Sequence, residues 1–148
     1  MTAPAIEKLA TGRSLISDLL FHRLAAGIVK DNGVSRERAE RIVDQALAFL
    51  AACALNRDEQ LAPSEQVDIG WHTFILHTRD YRSFCARYAP GRFIDHVPTD
   101  DEAHGPAAKA LLLRTVEAIR AAGFAVDMEL WPEVTRCSQC HAGCTDSP

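Results

Sequence analysis

The chain has 148 residues, 47% of them apolar and 24% charged, and a net charge of −4, enough for one domain with a real core. A charge of this sign gives no reason to expect binding to nucleic acid or to an acidic membrane surface, and Lys and Arg are interspersed with acids, as in RSRERAERIVDQ. No run approaches the roughly 18 apolar residues of a membrane-spanning helix, and MTAPAIEKLATGRS lacks the uninterrupted apolar stretch of a secretory signal.

A cytoplasmic setting is therefore expected, a reducing one in which stable disulfides are uncommon. The partner expected is a protein or a small molecule.

In SLISDLLFHRLAAGIVKDNG the residues Ile16, Leu19, Leu20, Leu24 and Ile28 recur at the spacing of one helix face, and Asn32-Gly33 supplies the stop. Ser35 caps the next predicted helix, whose buried stripe is Ala39, Ile42, Val43, Ala46, Leu50 and Cys53. After the polar link RDEQLA, a third helix starts at Pro63-Ser64 and runs as PSEQVDIGWHTFILHTRDYRSFCARY to the turn signal Pro90-Gly91. GRFIDHVPTDDEAHGP reads as an irregular connection. A fourth helix, AAKALLLRTVEAIRAAG, buries Leu111, Leu112, Val116 and Ile119. In FAVDMELW, Phe124, Val126, Met128 and Leu130 alternate with other residues, as in an extended segment lying on the core. The expected fold is all-α: a compact bundle of about four helices, residues 1–135, with a short extended segment and a cysteine-rich tail, residues 136–148.

The third helix carries the most chemistry. Asp68 and His72 are four residues apart and share a face, so the carboxylate can hold the imidazole tautomer or both can bind one ion. The plainer reading makes His72 a core histidine satisfied by Asp68. In an unbroken helix His72 and Cys85 lie about 20 Å apart, so Asp68, His72, Tyr81 and Cys85 serve one ion only if the helix breaks near Thr78-Arg79. His96 stands in the loop before Val97-Pro98; swung back, it completes an Asp–His–His set. Cys53 and Cys85 read as packing.

VDIGWHTFILHTRDYRSFC followed by GRFIDHVP resembles the core motif of the glycine-rich domain-containing protein-like family. The matching positions are Asp68, Trp71, His72, Tyr81 and Cys85; Phe74 stands where many relatives have a second histidine. The resemblance covers residues 64–98 and implies a small helical module with a polar site around Asp68 and His72, but no reaction.

The tail RCSQCHAGCTDSP places Cys137, Cys140, His141 and Cys144 within eight residues. CSQCH spells the c-type haem attachment motif, but covalent haem attachment belongs outside the cytoplasm, so haem is the least favoured reading. C-x-x-C is half of many structural zinc sites, and Cys144 adds a third thiolate. His141, or a histidine of the body such as His96 or His104, would complete the tetrahedron. Copper(I) suits the same thiolates. An iron–sulfur cluster, a redox dithiol and an inert tail are the other readings.

The favoured function is a non-catalytic zinc-binding module whose tail is stapled to the bundle. The alternatives are a small metal-dependent enzyme built on Asp68, His72 and His96, and a C-x-x-C thiol-redox protein.

Overall fold

Three serines set the starts of the longest run of helices. Ser17, Ser35 and Ser64 each accept a hydrogen bond from a backbone N–H three residues on, those of Leu20, Arg38 and Val67. The computed structural model describes residues 9–96 and 105–135. It contains α1 (Asp18–Asn32), α2 (Arg36–Leu55), α3 (Glu65–Leu76), α4 (Thr78–Tyr88), α5 (Pro106–Ala121) and α6 (Pro132–Thr135), with 3-10 turns at Gly12–Leu15 and Met128–Leu130. Among the described residues there is no strand, only a parallel bridge between Ala10 and Phe124, and no helix is long and apolar enough to cross a membrane. The cysteine-rich tail, with Cys137, Cys140, His141 and Cys144, lies outside the described residues, as do His104 and Val97-Pro98.

The all-α class holds, but the expected third helix is two. His77 takes φ −89° and ψ 69°, ending α3 and starting α4. In a straight helix Trp71 and Tyr81 would stand about 15 Å apart along the axis. The break lets them meet: Trp71 Nε1 donates to the Tyr81 hydroxyl at 3.0 Å. Neither Pro nor Gly marks the position, because the cause is this tertiary contact and not a local breaker. It falls beside Thr78-Arg79, where a break had to be allowed for one site to form.

α2 is the central helix. Its middle is buried on almost every side, from Gln45 to Ala52, because α1, α3, α4 and α5 all pack against it. α3 comes close to it at Gly70, where a Cβ would lie 2.8 Å from Ala46 Cβ and 2.9 Å from the Ile42 carbonyl oxygen. Only a hydrogen fits there. Phe49, Trp71, Phe74, Tyr81 and Phe84 fill the space beside this crossing through edge-on and tilted ring contacts. In α1 the buried face is Phe21, Leu24, Ala25 and Ile28. Leu19, expected on that face, is 71% exposed, since it sits about 200° round the helix from Phe21. Gly33, at φ 68°, ends α1 in the left-handed conformation that the Asn32-Gly33 signal implies.

The segment after α5 is only partly extended. Phe124 and Leu130 are buried, but Met128–Leu130 coil into a 3-10 turn, so strict alternation is lost. Polar groups of α2 hold this arm. The Gln45 side chain, 1% exposed, donates to the Ala125 carbonyl at 3.0 Å. Its oxygen accepts from Asp127 N–H and from Trp131 Nε1, each at 3.0 Å. Arg41 grips the Asp127 carboxylate with two nitrogens at 2.6 and 2.9 Å and also reaches Glu129. This pairing holds the Asp127 carboxyl below the usual carboxylate range. The arm then meets the start of α3: Ser64 Oγ donates to the Leu130 carbonyl at 2.6 Å, and Glu65 N–H donates to Glu133 Oε2 at 3.3 Å.

Candidate functional site

The aromatic contact that breaks the helix also builds the site. The Tyr81 hydroxyl accepts from Trp71 and donates to the Ile94 carbonyl at 2.5 Å. Burial raises the Tyr81 pKa, which keeps the proton on the phenol and the donor in place. Ile94 is buried beneath it, and Arg92 reaches back to the Cys53 carbonyl. The loop after α4 is thereby fastened to the bundle at two points. Two residues past Ile94, His96 lies across α3 with its ring edge-on to Trp71, centroids 4.5 Å apart.

His96 Nε2 is 2.7 Å from Asp68 Oδ1. The imidazole side chain is 18% exposed and the carboxylate 44%. Since the carboxylate only accepts, Nε2 carries the proton and Nδ1 keeps a lone pair in the neutral ring. Asp68 is in the first turn of α3, where the helix dipole favours a negative charge. The expectation that Asp68 would satisfy a core His72 is corrected. Asp68 pairs with His96 instead, and His72 is exposed. The reason is the register of α3: Trp71, Phe74 and Val67 take the core face, which turns the neighbouring His72 outward.

The Asp–His–His grouping does assemble in part, with the His72 and His96 ring centres 6.1 Å apart. His72 and Asp68 also line a cleft of about 360 Å³ between the end of α1 and α3, together with Asp31, Asn32, Ile69, Thr73 and Leu76. Among the described residues, no three His, Cys, Asp or Glu side chains are placed to hold a metal ion. Tyr81 and Cys85, the other motif positions, are core residues. Cys53, also read as packing, is partly buried, and desolvation pushes its thiol up to about 12.

Two features escaped the reading of the sequence. His22 has its two ring nitrogens 3.1 Å from an Arg13 nitrogen and 2.9 Å from an Arg36 nitrogen, a grouping no local pattern marks. Gln45 anchors the arm, and here a signal existed. It falls three residues after Ile42 and four before Phe49, a polar residue at a core position of the helical repeat.

The fold and the site thus define an all-helical protein with a carboxylate–imidazole pair between α3 and the loop after α4, and a clamped arm after α5. The UCP032817-like family model matches residues 13–116, more than half of the chain, and the chain belongs to that uncharacterised family. This overturns the resemblance to the glycine-rich domain-containing proteins. The residues that carried it (Trp71, Tyr81 and Cys85 with Asp68 and His72) are largely packing positions of a helical core, and core aromatics specify a fold more than a family. No curated protein and no solved structure matches significantly.

Proposed function

We propose that this protein is a non-catalytic zinc-binding module in which Cys137, Cys140 and Cys144 bind the ion together with an imidazole, fastening the tail to the helical body. One observation carries the reading. The Glu65–Glu133 hydrogen bond holds α6 at the start of α3. Asp68 is one helical turn further on, about 4.5 Å along the axis. One residue, Arg136, separates Thr135 from Cys137, so two steps of chain reach at most about 7 Å. Thr135 thus ends the described residues near the start of α3, the helix that carries Asp68 and His72 and against which His96 packs. Zinc suits a mixed thiolate and imidazole set, and the binding free energy would add to folding free energy.

The enzyme alternative has less support. A catalytic zinc needs three protein ligands and an open position, whereas among the described residues no three His, Cys, Asp or Glu side chains are placed to hold one ion.

The test is elemental analysis with a visible spectrum on the full chain, purified under reducing conditions without chelator. Zinc near one equivalent, lost together with thermal stability in Cys137→Ser and on deletion of residues 136–148, supports the module. A truncated chain that keeps its full metal load sinks it. Iron with charge-transfer bands, or copper(I), would replace zinc and redirect the assignment to an iron–sulfur or copper protein.

A further inference from the structure

We infer that the cleft between the end of α1 and α3 binds a primary alkylammonium group, its charge set between Asp31 and Asp68 and its hydrocarbon stem on Ile69 and Leu76. The inference is independent of the zinc-module reading and uses no residue of the tail.

The cleft follows from how α1 and α3 meet. They touch where Gly27 faces the Thr73 methyl, a Cβ on Gly27 lying 3.7 Å from it. Beyond that contact the last turn of α1, with Asp31 and Asn32, stands opposite α3 from Asp68 to Leu76, around a space of about 360 Å³. Sites for small molecules begin at about 300 Å³.

Charge decides the class of ligand. Asp31 is exposed and makes no ion pair among the described residues. Asp68 gives Oδ1 to His96, while its other oxygen has no hydrogen-bond donor among the described residues. The C-terminal end of α1 adds the partial negative charge of its dipole, and no described Lys or Arg lines the space. A second cleft, of about 300 Å³, makes the contrast. Arg13 and Arg41 stand there among Glu37, Glu40, Asp44 and Asp127, and Arg41 grips Asp127. Its acids are answered from within; those of the α1–α3 cleft call for a cation from outside.

Shape narrows the cation. Leu76 is 66% exposed and Ile69 is half-buried, so an alkyl stem laid on them removes apolar surface from water. A guanidinium binds best with two nitrogens on both oxygens of one carboxylate, and His96 already occupies one oxygen of Asp68. An ammonium is a point charge with three donors. It needs one oxygen from each carboxylate, and its third donor is left for the exposed His72 ring at the cleft wall. Such a group is offered by a free alkylamine or by a lysine side chain.

The experiment is an NMR titration of the ¹⁵N-labelled full chain with n-pentylamine, neutral n-pentanol, pentylguanidine and N-acetyl-lysine methylamide. Pentylamine should give saturable shifts at residues 31–32 and 68–76 in the millimolar range, and pentanol should not saturate. Asp31→Asn should weaken pentylamine by about two- to fivefold, the scale of an exposed charge pair. Asp58→Asn, which removes an exposed carboxylate outside the cleft, should match the parent. Asp31 is the deciding position because Asp68→Asn would also disturb His96.

No saturable shift, pentanol bound as tightly as pentylamine, or equal weakening in Asp58→Asn overturns the inference. Pentylguanidine bound more tightly than pentylamine overturns the choice of ammonium. Binding of the lysine derivative as tight as that of pentylamine supports the site with a protein lysine as its source; binding of pentylamine alone supports it with a free amine.

Discussion

Replacing Gln45 with leucine removes three hydrogen bonds while keeping a side chain of similar shape, and the cost follows from what each partner loses. Trp131 is 0% exposed, so its Nε1–H, now 3.0 Å from Gln45 Oε1, would have no route to water. An unsatisfied buried donor costs about 1–3 kcal/mol. The Asp127 N–H and the Ala125 carbonyl belong to partly buried and exposed residues and would be rehydrated, leaving roughly 0.5–1.5 kcal/mol between them. Gln45→Leu should therefore destabilise by about 1.5–4.5 kcal/mol, unless release of the arm is cheaper and caps the loss.

Urea unfolding followed by tryptophan fluorescence, with hydrogen exchange at the Trp131 indole, distinguishes these outcomes. A lower midpoint at constant m signals a global penalty; a lower m with fast indole exchange signals a detached arm. A variant within about 0.5 kcal/mol of the parent, its indole still protected, would refute the claim that Gln45 clamps the arm.

Gly70→Ala should destabilise by about 1–3 kcal/mol despite the better helix propensity of alanine, because the new methyl meets Ala46 and the Ile42 carbonyl at the α2–α3 crossing; a gain in melting temperature would show that the helices separate freely. Asp127, whose pKa Arg41 lowers, contributes stability that is complete above its unfolded pKa and is lost as pH falls through the folded one. Asp44, raised by burial, works in the opposite direction, its contribution falling as pH rises from the unfolded toward the folded pKa. The difference between the parent and Asp127→Asn isolates the former: it should be largest near neutrality and vanish in acid, and a pH-independent difference would contradict the Arg41 assignment. With Cys137, Cys140 and Cys144 replaced by serine, Cys53 should resist alkylation at pH 8 until unfolding, since a thiol at about 12 is almost wholly protonated there; labelling as fast as a free thiol would refute its desolvation.

Local signals specified much of this protein because helix caps and helical periodicity act within a few residues of chain. Ser35 and Ser64 start α2 and α3, Asn32-Gly33 ends α1, and Ala39, Ile42, Val43, Ala46 and Leu50 face the core as their spacing requires. The interest of Asp68 and His96 was also legible, as candidate members of one polar group. Their pairing was not: it depends on the break at His77, which serves a Trp71–Tyr81 hydrogen bond spanning ten residues, and on Ile94 receiving the Tyr81 proton. The same holds for the arm, where Arg41 and Gln45 find partners 80 or more residues away. Sequence spacing carries no information about such contacts, since their geometry exists only once the core has packed and fixed each side chain's direction. The residue types were written in the chain; which carboxylate meets which imidazole was settled by tertiary packing.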